Sequence, residues 1–265
     1  MPKAPALFIP HGGGPLPLMQ DPAHSQLVAF LSSVASQLPR PEAILVVSAH
    51  WEEASFRIQH QAEPDLLYDY YGFPPEAYQV SYPAPGAPEV ARSAAELLSN
   101  SGIDVALDEQ RGFDHGVFVP LKLMYPDANI PCLQISLRAD MDPAAHVALG
   151  KALAPLRDQN VMILGSGSSF HNMTAFRDGS EGLQACKAFD NWLYETCCNA
   201  PLEDAEKCLL HWEGAPEARY AHPREEHLLP LHVCFGTAVN SGQRPTHVFN
   251  GDMMGFRMSS FLWSS

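Results

Sequence analysis

With 265 residues, 46% of them hydrophobic and 17% charged, the chain has apolar material for a large core and lacks the charge excess of a disordered one. Its 30 acidic residues against 16 basic ones give a formal net charge of -14, with no run of Lys or Arg. Nucleic acid and anionic membrane surfaces are therefore disfavoured as partners, and no stretch approaches the ~20 continuous apolar residues that span a bilayer.

In chain order, Leu7-Phe8-Ile9 is a short apolar run stopped by Pro10 and a glycine cluster, which predicts a buried strand ending in a loop. Leu27, Phe30, Leu31 and Val34 recur at helical spacing, and Ala43 to Ser48 reads as a second strand. The order strand, loop, helix, strand is the unit of a parallel sheet. A helix is expected from Glu89 to Leu98, strands from Ile103 to Leu107 and Ile130 to Ser136, and a helix from Ala144 to Leu156 that leads into a strand at Val161 to Leu164. Helices over Leu183 to Cys197 and Glu225 to Val239 and a last strand at Thr246 to Phe249 complete the reading. It describes one α/β domain over 1–265, with a mostly parallel central sheet flanked by helices. The segment from Glu63 to Pro88, rich in Pro, Tyr and Gly, is a long loop of the kind that covers a binding site.

Cys132, Cys186, Cys197, Cys198, Cys208 and Cys234 show no C-x-x-C spacing and mostly fall within apolar patterns. Reduced, packed thiols of a cytoplasmic protein are expected. The opening Met1 to Pro10 segment carries one lysine, breaks at Pro5 and Pro10 and runs into glycines, so it is read as neither a signal nor a transit peptide.

Three of the 12 histidines fall at strand ends: His11 after the first strand, His50 after the second, and His171 after the Val161 strand. Ligands bind at the carboxyl ends of strands in open α/β sheets, so these imidazoles have the placement to converge in one crevice. His115 lies in F-D-H-G-V, and His222 and His227 in A-H-P-R-E-E-H, where Pro223 suits the first turn of a helix and would put His227 about one turn inside it. Imidazole is the commonest ligand for zinc and suits iron, which makes a one-metal site the functional reading. The bland alternative is a set of loop or hydrogen-bonded core histidines, and His24, His60, His146, His211, His232 and His247 are read that way. Asp114 is read either as the carboxylate partner of His115 or as a cap of the following helix.

H-G-G-G at His11 to Gly14 resembles an oxyanion loop of α/β-hydrolases, yet no G-x-S-x-G accompanies it; Gly165-Ser166-Gly167-Ser168-Ser169 has the wrong spacing. No G-K-[ST] or helix-opening G-x-G-x-x-G supports a phosphate loop. The glycines are better read as a tight turn beside a ligand.

Five ordered motifs carry a resemblance over nearly the whole chain: P-H-G-G-G-P (Pro10 to Pro15), S-A-H-W (Ser48 to Trp51), D-H-G-V-F-V-P-L (Asp114 to Leu121), G-S-G-S-S-F-H-N (Gly165 to Asn172) and A-H-P-R-E-E-H (Ala221 to His227). In these the chain resembles the 4,5-DOPA extradiol dioxygenase-like branch of the class III aromatic ring-opening dioxygenases, which also include the protocatechuate 4,5-dioxygenase catalytic subunit. The resemblance implies a metal-dependent extradiol dioxygenase that acts on a catechol-type, DOPA-like aromatic with O2. It implies one divalent metal held by His11, His50 and His227, with Fe(II) for activity and Zn(II) in the purified protein as the alternative. In the protocatechuate branch the third ligand is a glutamate, which makes Glu226 the competing position. His171 is implied as the catalytic acid/base, with a place in the metal shell when zinc is bound, and His115 as a second residue facing substrate and oxygen. His222, Gly13 and Ser168 are the expected substrate-binding positions. A small-molecule partner, no nucleic acid or membrane, and a monomer or small homo-oligomer complete the expectation. The alternatives are a zinc-dependent hydrolase on the same ligands and a non-enzymatic binding protein.

Overall fold

The computed structural model describes residues 3–175 and 179–264. Its elements run β1 (Ala6–Pro10), α1 (Ser25–Val34), β2 (Ala43–Glu53), β3 (Phe56–Gln59), α2 (Pro88–Asn100), β4 (Val105–Asp108), α3 (His115–Met124), β5 (Cys132–Arg138), α4 (Pro143–Leu153), β6 (Val161–Gly167), α5 (Gly179–Tyr194), α6 (Leu202–Leu210), α7 (Ala218–Ala221), α8 (Leu229–Val239), β7 (Thr246–Met253) and β8 (Phe256–Trp263). The strands form one eight-stranded sheet in the order β4-β3-β5-β2-β6-β1-β8-β7. Pairings β3/β4, β2/β5, β2/β6 and β1/β6 are parallel, whereas β3/β5, β1/β8 and β7/β8 are antiparallel.

The central strands carry the continuous apolar runs that predicted them: every residue of β1 and β6 is buried, as are Ala43 to Ala49 of β2. Such strands need helices on both faces. One of those helices, α8, is apolar all round and buried along nearly its whole length, as a helix inside the core must be. Insertion of β6 between β1 and β2 sets three parallel strands side by side, so their carboxyl ends meet at one place on the rim.

Several local expectations shift. The last strand extends to Met253 and folds back as β8, which pairs with β1 and so becomes part of the core sheet. Helix α8 begins at Leu229 with Pro230 in its first turn, not near Pro223, so His227 stands in the turn before the helix instead of one turn inside it. The cause is close packing against β6. The Ser168 N–H donates to the His227 carbonyl at 2.9 Å, and a Cβ placed on Gly167 would lie 2.1 Å from that same oxygen. Glycine at 167 is what lets the 222–228 segment lie against the strand. Among the described residues, no helix is long and apolar enough to cross a membrane. All six cysteines are free thiols, four of them buried.

Candidate metal centre

His11 follows β1 immediately, and His50 lies where β2 stops pairing with β6 after Ser48 and loses register with β5 between Val47 and Glu52. An irregularity of that kind re-aims a side chain off the regular pleat. The two imidazoles meet with their Nε2 atoms 3.0 Å apart, and His227 joins them, its ring centroid 5.2 Å from that of His11 and 5.0 Å from that of His50. One nitrogen from each of the three lies within 4.8 Å of the others. Two nitrogens bound at right angles to one ion at about 2.1 Å stand about 3.0 Å apart, so the spacing fits a facial ligand set.

The far side of the rings decides whether a lone pair is available. The Ser166 hydroxyl donates to the Gly116 carbonyl, so it accepts from His11 Nδ1 at 3.0 Å and leaves His11 Nε2 unprotonated. Glu226 Oε1 sits 2.9 Å from His227 Nδ1, and a carboxylate can only accept, so the His227 proton also lies away from the cluster. His50 is held through its backbone: its carbonyl accepts from Arg111 and its N–H donates to the Ser48 hydroxyl. Burial pushes the His11 and His227 imidazoles well below the usual histidine range and His50 down to about 3, and the neighbouring imidazoles add to this. Neutral rings with directed lone pairs are what a divalent ion requires.

Replacing Ser166 by alanine leaves His11 Nδ1 and the Gly116 carbonyl without their partner. Metal affinity should fall about 10- to 100-fold, as for other outer-shell partners of ligating histidines, which chelator competition measures. Unchanged affinity would show that Ser166 does not set the His11 tautomer.

Two further imidazoles reach the same cavity. His171 stacks on His227 with centroids 3.5 Å apart and planes 15° from parallel, its Nδ1 3.4 Å from Glu226 Oε1 and its side chain 32% exposed. It does not belong to the His11, His50 and His227 group; its own grouping is with Glu226 and His227. Burial opposes ionisation of Glu226, but the hydrogen bond from His171, together with His171 and Arg224 charge, holds its carboxyl below the ordinary range.

His115 opens α3. Its carboxylate partner is Asp69, 46 residues away, whose Oδ1 accepts from the ring Nδ1 at 2.8 Å and from the backbone N–H at 3.0 Å. Burial would raise Asp69, but these His115 contacts hold it below its usual value. Asp114 occupies the cap position of α3 without a side-chain cap bond. It accepts instead from the Ser48 hydroxyl at 2.7 Å and from Arg111 at 3.1 Å, bracing the strand that carries His50. Neither reading of Asp114 offered by the sequence describes that contact.

The cavity, about 480 Å³, is roofed by the aromatic loop: Asp69, Tyr70, Tyr71 and Phe73 line it together with His11, His50, His115, His171 and His227. The loop is held by its own hydroxyls, with Tyr68 donating to the Val80 carbonyl at 2.6 Å and Tyr70 to Ala77 at 2.5 Å. Gly13 lines the cavity and its N–H donates to His24 Nε2 at 3.1 Å, so buried His24 shapes the glycine turn. Ser168 also lines it, although its hydroxyl is committed to the Phe170 carbonyl at 2.7 Å.

His222 is not brought to the cavity. It is fully buried against Phe189 and Trp212, and its Nε2 donates to the Ser169 carbonyl at 3.1 Å. The Ala221 carbonyl, bonded to His171 N–H at 3.0 Å, fixes the segment with the His222 ring turned inward. Asp69, Ser166 and the methionines of the β7–β8 hairpin line or support the site without having been singled out in the sequence. The Asp69 signal, a carboxylate within an aromatic run, was there to find.

Burial depresses His222 to about 3 and His146, on α4, to about 4. Unfolded histidine titrates near 6.5, so between that pH and the folded values the unfolded chain binds more protons and stability rises with pH. On acidification from pH 7 to 5 each of these two rings should remove about 2 kcal/mol. The urea midpoint of metal-free protein should fall accordingly, and an unchanged midpoint would mean that the rings are not buried neutral.

A family profile described as "Catalytic LigB subunit of aromatic ring-opening dioxygenase" matches residues 5–258. "Dioxygenase tasH" of Hapsidospora irregularis is 37% identical over 282 residues, covering 98% of this chain and 85% of its own length. "4,5-DOPA dioxygenase extradiol" of Beta vulgaris is 41% identical over 235 residues, covering 87% and 85%. The protein of the same name from Escherichia coli (strain K12) is 34% identical over 247 residues, covering 92% and 88%. A crystal structure of an uncharacterized protein from Escherichia coli K12 matches with a TM-score of 0.78 at 31% identity, over 98% of this chain and 100% of that one. Placed on the geometry of the five histidines, these likenesses show that the chain belongs to the aromatic ring-opening dioxygenase family typified by the catalytic LigB subunit.

Proposed function

We propose that this chain, as one catalytic domain over 1–265, opens the ring of a catechol-type substrate with O2 by extradiol cleavage, using Fe(II) held by His11, His50 and His227. The observation that carries the reading is the convergence of three neutral imidazoles, two with their distal protons fixed by Ser166 and Glu226, on the floor of an aromatic-walled cavity. Family membership supports it. A facial set of three ligands leaves coordination positions open, and a redox-active divalent ion bound there supplies activation of the catechol and of dioxygen.

The remaining work falls to the protein. His171, partly exposed and poised over Glu226, accepts a proton from a catechol hydroxyl at its Nε2 and returns one later, while Glu226 stabilises the imidazolium. His115 keeps its proton on Nδ1, toward Asp69, and offers Nε2 as an acceptor beside the ring. Tyr70 contributes its face and not its hydroxyl, which is engaged with Ala77. Phe73 and Phe170 flank the space for a planar substrate and limit water.

Anaerobic reconstitution with Fe(II), followed by oxygen uptake and near-visible absorbance over a catechol panel, tests the reading. Uptake with a new yellow product is the expected result. Silence across the panel with metal demonstrably bound would transfer the same ligands to zinc-dependent hydrolysis or to ligand binding alone.

A further inference from the structure

The histidines occupy one part of the cavity lining, and the rest has a different chemistry. Met253 ends β7, Met254 forms the hairpin turn and Met258 stands in β8; with Met173 and Phe170 they make a methionine-rich apolar wall. The hairpin is anchored, since Met254 N–H donates to the Ala23 carbonyl at 3.0 Å and Phe170 stacks on Phe256 with centroids 4.9 Å apart. At the mouth, Met173 is 66% and Tyr71 92% exposed, apolar surface that a bound guest would cover.

Charge points the same way. Among the described residues that line the cavity there is no Lys or Arg, and the one carboxylate, Asp69, is engaged with His115. Arg224, which flanks Glu226, is committed through both terminal nitrogens to Glu52. Among the described lining residues a substrate carboxylate would find no Lys or Arg to pair with, whereas an alkyl or aryl substituent would meet flexible, polarizable thioethers suited to irregular apolar shapes.

We infer that the methionine wall is a subsite for an apolar substituent on the catechol ring, so that alkyl- or aryl-catechols are preferred over catechols bearing a carboxylate. This rests on the catechol reading above and assigns the part of the substrate that the metal does not touch.

The test is anaerobic calorimetric binding to Zn(II)-loaded protein, alongside oxygen uptake by the Fe(II) form, for 4-methyl-, 4-ethyl-, 4-propyl- and 4-butylcatechol and for 3,4-dihydroxyphenylpropionate, which is close in size to the last. Affinity should rise up to about fourfold per methylene, the equivalent of ~0.8 kcal/mol for each buried CH₂, with an increasingly negative heat-capacity change. Butylcatechol should bind at least tenfold more tightly than the carboxylate, and Met254→Ala should shrink that ratio. A flat series, or equal or tighter binding of the carboxylate, overturns the subsite. The binding order without oxygen uptake would uphold the subsite and sink the dioxygenase reading instead.

Discussion

Substitution of His50 by alanine is expected to strip the protein of its metal. If roughly 12 kcal/mol of binding free energy is shared by three ligands, each supplies about 4 kcal/mol, close to a thousandfold in affinity. Two observations make His50 the sharpest choice. Its Nε2 lies 3.0 Å from that of His11, so its loss breaks the facial set. Its imidazole is 23% exposed, and its backbone contacts to Arg111 and Ser48 do not depend on the ring, so the fold should survive. Elemental analysis after dialysis against a weak chelator should find about one ion per wild-type chain and almost none in the variant, with matching circular dichroism. A full equivalent of metal retained at near-native affinity would remove His50 from the ligand set and move attention to Glu226.

His171→Ala separates the metal from the proton. Loss of a positioned acid/base lowers turnover by about 10²- to 10⁴-fold, and the metal content should not change, because His171 lies outside the His11, His50 and His227 group. Stacking on His227 gives the experiment a second edge. Should the variant lose metal along with activity, His171 belongs in the shell or holds His227 in place. Should it keep full ring-cleaving activity with metal bound, the proton passes through another group, and His115 with its Asp69 partner becomes the candidate.

Much of this site could be seen in the chain before any fold. Continuous apolar runs in β1, β2 and β6 marked buried parallel strands, because strands covered on both faces have no polar side to alternate with. Histidines just beyond or late in those strands then pointed to one crevice. Less visible were α3, apolar and buried, with Pro120 inside it, and β8, which the pattern left unassigned. The helix expected at Glu225 starts four residues later, since packing of His227 against Gly167 is a contact across 60 residues that no local periodicity carries.

By itself, then, the sequence determined the α/β class, the strands at the centre of the sheet and the histidines gathered at their carboxyl ends. Only the tertiary structure decided which ring nitrogen of His11 and of His227 is bare, that Asp69 rather than Asp114 holds His115, that His222 faces inward, and that methionines wall the cavity. The reason is physical: strand and helix patterns report neighbours a few residues apart, whereas the tautomer of His11 is set by a serine 155 positions away.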